Sequence, residues 1–184
     1  NRVCKARNKW AELATSSNLL FIDQETILSE KNIGNLIEKY WKSDTVVLWP
    51  YYGYNNSEKG ITDRDISFFI ENWYVLKDDY LDFRDNFYKE KEENKRIWEF
   101  FGASNFFIKK SIFTEIWWFD EAVTTWWDED IEFGYRLFKS WCQIIFDVTI
   151  GVLNLSKKLY NTPYSILEDS KVESLSENWY NNYQ

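Results

Sequence analysis

A chain of 184 residues, 45% hydrophobic and 28% charged, has the composition of one globular domain, long enough to bury roughly 70% of its unfolded surface. Its net charge of −8 argues against a nucleic-acid partner, which requires clustered Lys and Arg, and the mildly basic "RVCKARNKW" is too short for a duplex footprint. Histidine is absent, which removes His-based triads, His-containing zinc sites and the usual proton shuttle, so any catalysis must rest on carboxylates, Lys, Tyr or a metal. Cys4 and Cys142 lie far apart without ligand spacing and are expected to be free thiols in a reducing compartment. No window reaches the roughly 18 uninterrupted apolar residues of a membrane span, and no signal peptide is visible. The chain starts at Asn1 and contains no Met, so a fragment of a longer protein is expected.

In chain order, "KARNKWAELATSS" predicts a helix with Ala6, Trp10, Leu13 and Ala14 on one stripe. "NLLFIDQETI" gives an apolar run, Leu19 to Ile22, that stops at an acid, the pattern of a buried strand delivering a polar group at its C-terminal end. "SEKNIGNLIEKYW" has a Ser cap and continues as a helix, and "DTVVLWPYYGYN" reads as a second buried strand closed by Pro50 and Gly53. Residues 61 to 98 are polar, aromatic-rich and poorly periodic, an irregular excursion with short helices. "EFFGASNFFIKKSIFTEI" predicts strand, turn, strand, then a helix from about Ser111. "DEDIEFGYRLFKSW" is helical with Ile131, Tyr135 and Phe138 inward, and "CQIIFDVTIGVLNL" supplies two closing strands. The alternation of helices with buried strands indicates an α/β domain over 1–155, followed by a polar tail over 156–184.

Two acidic constellations carry the possible chemistry. Asp23-Gln24-Glu25 closes a strand, and carboxylates spaced i, i+2 there suit a hard divalent cation together with a ribose hydroxyl. The plainer alternative is a solvated turn. Asp128-Glu129-Asp130 opens a helix, where acids are favoured by the macrodipole alone; a carboxylate held there can also take a proton from a hydroxyl nucleophile.

The segments "KARNKWAELATSSNLLFIDQETI", "FFGASNFFIKKSIFTEIWWFDEA" and "DEDIEFGYRLFKSWCQIIFD" occur in that order over roughly residues 2 to 155. Their arrangement resembles the inverting nucleotide-sugar glycosyltransferases of GT-A fold, family 2-like, of the polysaccharide and cell-wall type. The resemblance implies a GT-A-like, Rossmann-like mixed sheet with flanking helices, lacking the family's first βαβ unit. It implies transfer of a sugar from a nucleotide-sugar donor to a hydroxyl of a saccharide or lipid-linked acceptor, assisted by Mg²⁺ or Mn²⁺. Carried over by position, Asp130 is the base, with Glu129 its helix-start neighbour. Asp23 contacts the ribose or donor sugar and shares the metal with Glu25, which stands where the family has Asp. Arg7 and Lys9 lie near the diphosphate, and Asn105 lies in the donor-sugar region. Where many relatives place a metal-binding His near the last strand, the nearest candidate is Asn154. The family location is the cytoplasm or the inner face of the membrane. Two rivals stand beside this reading: a non-catalytic carbohydrate-binding or inactive glycosyltransferase-like domain, and a structural α/β domain of a larger assembly.

The tryptophans set a separate question. Trp10, Trp117, Trp118, Trp126, Trp127 and Trp141 stand where the family pattern has Gly, and Trp41 stands where a Gly helix cap is expected. Gly serves positive φ or close approach, which Trp does not. One codon read as Trp in place of Gly accounts for this; restoring those seven positions to the six glycines present returns the usual share of roughly 7%. The alternative is that "WWDED" is a genuine sugar-stacking platform. Trp98 fits its position as an aromatic, and Trp49, Trp73 and Trp179 stay open.

Overall fold

The computed structural model describes residues 2–53, 66–67, 70–71, 96–123, 125 and 128–154. Trp126 and Trp127, the tail over 156–184 and most of the 61–98 excursion lie outside the described residues. The chain is mixed α/β. Its elements are α1 (Arg2–Leu13), β1 (Asn18–Ile22), β2 (Thr26–Ile27), α2 (Glu30–Tyr40), β3 (Val46–Leu48), β4 (Tyr51–Gly53), a 3₁₀ turn (Ile97–Phe100), β5 (Asn105–Lys109), α3 (Lys110–Glu115), α4 (Asp128–Lys139), β6 (Ile144–Phe146) and β7 (Val152–Asn154).

A four-stranded sheet in the order β1-β5-β3-β6 forms the centre, beside a small sheet β2-β7-β4. β5 is antiparallel to β1 and β3, while β3 and β6 are parallel. β1, β3 and β6 therefore run one way, and their C-terminal ends share one edge with the start of β5. Side chains alternate across this sheet as the pleat requires. On one face, Leu19, Val46, Leu48, Phe106 and Ile108 pack with Cys4 and Ala11 of α1, Phe113 of α3, and Phe133 and Leu137 of α4. On the other face, Val47, Phe107 and Trp49 pack with Leu36 of α2, Ile150 and Val152. Helices thus cover both faces, the layered solution for a sheet apolar on both sides. Aromatic stacking ties the first face together: Phe21 lies 4.4 Å from Phe106, and Phe119 lies 4.2 Å from Phe133.

Several helix signals act as expected. The Ser29 hydroxyl caps α2 by accepting from the Asn32 N–H at 3.2 Å. Asn32 also donates to the Gly151 carbonyl at 2.6 Å, fastening α2 to the β6–β7 turn. Gly134, inside α4, is required by close approach: a Cβ there would meet the Phe101 Cβ at 2.6 Å and the Trp98 carbonyl oxygen at 2.7 Å.

Elsewhere the structure departs from the sequence expectation. α1 turns its small residues Cys4 and Ala11 and the polar Asn8 inward, leaving Trp10 72% exposed and Leu13 outward as well. Asn8 can be buried because its amide is bonded at both ends, so the apparent apolar stripe is not the packing face. β1 is an edge strand with Leu20 and Ile22 partly exposed, rather than a strand buried on both sides. The strand expected before the Gly102 turn is the 3₁₀ turn instead, and Trp98 packs at 4.9 Å from Tyr135 and 6.1 Å from Phe138. That contact takes Tyr135 and Phe138 to the outer side of α4, whose buried face is Glu129, Glu132, Phe133, Gly134 and Leu137 rather than Ile131, Tyr135 and Phe138. β3 is buried as expected, but the chain does not stop at Pro50; it runs on into β4 of the small sheet. Trp41 caps α2 with φ −51°, right-handed backbone that needs no glycine.

The prediction from this packing is that Gly134→Ala destabilises the fold by roughly 1–3 kcal/mol, because backbone and a core phenylalanine must shift for one methyl group. A urea midpoint equal to that of the wild type would show that the α4–3₁₀ contact is looser than described.

Candidate functional site

The site lies at the sheet edge where β1 ends and β5 begins. Asp23, the first residue past β1, donates its N–H to the Ser104 carbonyl at 3.2 Å. The chain then turns at once: the Thr26 N–H and hydroxyl both donate to the Asp23 carbonyl, at 3.1 and 2.6 Å. The Asp23 side chain is left at the mouth of the edge, 45% exposed.

Arg7 reaches this edge from α1. Its guanidinium lies 3.4 Å from Asp130, 3.8 Å from Glu129 and 4.0 Å from Asp23. It also stands over the Phe119 ring at 5.3 Å. Residues more than a hundred positions apart in the sequence are thereby brought to one guanidinium. Glu129 and Asp130 come from the first turn of α4, where the helix dipole favours carboxylates. Both are largely buried, and one Glu129 oxygen has no hydrogen-bond partner.

Three carboxylates around one cation leave an excess of negative charge in a poorly hydrated place. Burial pushes the Asp130 carboxyl up to about 7; Arg7 pulls against this, Glu129 adds to it, and a hydrogen bond from the Ala103 backbone opposes it. Asp23 is raised as well, by burial, with Arg7 opposing. Burial also pushes the neighbouring Cys4 thiol up to about 11, with the Glu129 charge adding to it, so it stays protonated and inert. Both cysteines are free thiols. A carboxyl near 7 is poised to exchange a proton at neutral pH.

Two residues that the sequence did not single out hold the loop beneath Arg7. The Asn8 side chain donates to the Phe119 carbonyl at 2.9 Å and accepts from the Phe119 N–H at 3.0 Å. Arg136 donates to the carbonyls of Ile116 and of Trp118, the latter at 2.7 Å, while paired with Glu132. The one available signal was a polar Asn at inward helical spacing with Cys4 and Ala11.

Of the other expected site residues, Glu25 sits half-buried in the turn after Asp23. Asn105 is fully buried at the start of β5, opposite Ile22, with neither amide atom hydrogen-bonded. Lys9 lies apart: it pairs with Glu12 at 2.7 Å along an open groove of about 920 Å³. Trp117 and Trp118 line that groove, and Asp130 does not. The groove's polar groups are largely paired with one another, Asn8 with Glu121, Lys9 with Glu12 and Arg136 with Glu132.

Among the described residues no three or more Cys, Asp or Glu side chains are grouped to hold a metal ion. Asp23 and Glu25 offer two carboxylate oxygen donors in one turn, a donor type that hard cations take. Among the described residues no helix is long and apolar enough to cross a membrane.

No protein-family model matches the chain. A chondroitin synthase of Pasteurella multocida (strain Pm70) is 38% identical over 66 residues. That segment covers 34% of this chain and 7% of the synthase, so the similarity is to a small part of a much longer protein.

The Asp130 carboxyl sets a pH dependence of stability. An unfolded Asp loses its proton near 3.8 and folded Asp130 near 7, so the native state holds the extra proton between those values. Stability therefore falls as pH rises through that window. Asp130→Asn is expected to lose less stability than the wild type between pH 4.5 and 7.5 in urea titrations. Equal losses would mean that Asp130 titrates like an exposed carboxylate.

Proposed function

We propose that this chain is part of a glycosyltransferase that moves a sugar from a nucleotide-sugar donor to a hydroxyl of a saccharide or lipid-linked acceptor, with inversion. The observation that carries the reading is the convergence of Arg7, Asp23, Glu129 and Asp130 at the strand-end edge of an α/β sheet, where ligands of such sheets bind. The partial identity to a chondroitin synthase supports the same chemistry. On this reading residues 1–155 are a GT-A-like domain without its first βαβ unit, 156–184 are a tail, and the protein works in the cytoplasm or at the inner face of the membrane.

Asp130 is the base. Its carboxylate takes the proton of the acceptor hydroxyl as that oxygen bonds to the anomeric carbon; the bond from that carbon to the diphosphate breaks, and the nucleoside diphosphate leaves with the electron pair. Arg7 holds Asp130 in place and keeps its pKa from rising further, a role that differs from direct contact with the diphosphate. Glu129 fixes the other side of Arg7. Asp23 meets the ribose or donor sugar. Asn105 lies in the donor-sugar region on this reading, and its unpartnered amide would have to be uncovered to meet the sugar. Lys9 is outside this arrangement. Asp23 and Glu25 would hold a Mg²⁺ or Mn²⁺ ion, which when bound neutralises charge on the leaving diphosphate.

In the full-length protein, Asp130→Asn is expected to lower transfer by 10²–10⁴-fold while donor binding changes less than about twofold. Sugar-nucleotide binding without turnover in the wild type would favour the non-catalytic alternative. Because Arg7 lowers the Asp130 pKa, Arg7→Met is expected to move the acidic limb of the pH–rate profile to higher pH. A limb that stays in place would remove Asp130 as the group responsible.

A further inference from the structure

Among the described residues, three other than glycine have positive φ, and all three are tryptophan: Trp117 at 67°, Trp118 at 63° and Trp141 at 61°. Trp makes up 11 of 184 residues, so chance does not gather three of three at one residue type. The hydrogen bonds show what the backbone is doing there. After α3, the Trp118 N–H donates to the Phe113 carbonyl and the Trp117 N–H to the Thr114 carbonyl, both at 3.1 Å. After α4, the Cys142 N–H donates to the Leu137 carbonyl and the Trp141 N–H to the Phe138 carbonyl, again both at 3.1 Å. Each is a complete paired-bond helix ending of the Schellman type, with Trp at the one position that such endings reserve for glycine, sometimes Asn.

At 117 and 141 nothing offsets the choice. Trp117 is 86% exposed and Trp141 95% exposed, so neither ring gains packing in return for left-handed backbone. Trp118 lies 5.6 Å from Phe113 but adds a second consecutive positive φ, which large side chains rarely tolerate. Trp10 and Trp41 lack this signature: they lie in or at the end of helices with right-handed backbone.

We infer that positions 117, 118 and 141 are glycine in the protein as its source makes it, and that one codon has been read as Trp at each of them. UGA is a codon whose reading varies between genetic codes. The two helix endings then form without strain, and the loop from 116 to 121 that carries Phe119 to Arg7 turns on two consecutive glycines.

The direct experiment is tandem mass spectrometry of the chain purified from its source. Two tryptic peptides, Ser111–Arg136 and Ser140–Lys157, contain the three positions. Glycine at all three is the expected result; tryptophan at any of them overturns the inference. Independently, in the sequence as written, Trp141→Gly is expected to raise the folded-to-unfolded ratio about fivefold and Trp117→Gly likewise, read as higher urea midpoints. A midpoint that falls or stays unchanged in either variant would contradict the glycine geometry.

Discussion

The guanidinium of Arg7 is the only cation in contact with Asp23, Glu129 and Asp130 among the described residues, and the candidate site depends on that single charge. Burying two neighbouring carboxylates without a cation would cost several kcal/mol per ion. With Arg7 in place, the excess is met by raising the pKa of Asp130 rather than by unfolding the helix start. The geometry this demands is strict. α1 must cross the sheet so that Arg7 reaches the end of β1, and α4 must begin where its first turn meets the same atoms. The rest of the first packing face serves that alignment: Cys4 and Ala11 let α1 sit close, and Gly134 lets α4 sit close to the 3₁₀ turn.

The loop that precedes α4 is fixed from two sides. Asn8 binds the Phe119 backbone at both its N–H and its carbonyl, and Arg136 binds the carbonyls on either side of Trp117. Phe119 in turn stacks on Phe133 and lies under Arg7. An asparagine one residue after the arginine therefore positions the ring beneath that arginine. The positive-φ backbone at 117 and 118 lies within this loop, so the residues at these positions bear on the candidate site even though their rings line the neighbouring groove.

Much of this was legible from local pattern. The acid after β1, the Ser29 cap, the buried β3 run and the acidic start of α4 each rest on a signal within a few residues. What could not be read depends on contacts far apart in sequence. The inward face of α1 is hidden from local pattern because Asn8 is polar by composition and becomes a core residue only when the Phe119 backbone is present to bond it. The buried face of α4 is hidden likewise, because Tyr135 and Phe138 have core composition but pack on Trp98. β1 reads as doubly buried because nothing local reveals that it is an edge. Among the site residues, Arg7, Asp23, Glu129 and Asp130 converge, whereas Lys9, two residues beyond Arg7, faces the groove instead, as helical geometry dictates for a 200° turn.

The most direct measurement of this account is the titration of the Asp130 side-chain carboxyl by carbon-13 NMR, in the wild type and in Arg7→Met. The account predicts a midpoint near 7 in the wild type and a higher one when the guanidinium is removed. A wild-type midpoint near 4, or one unmoved by the loss of Arg7, would contradict it.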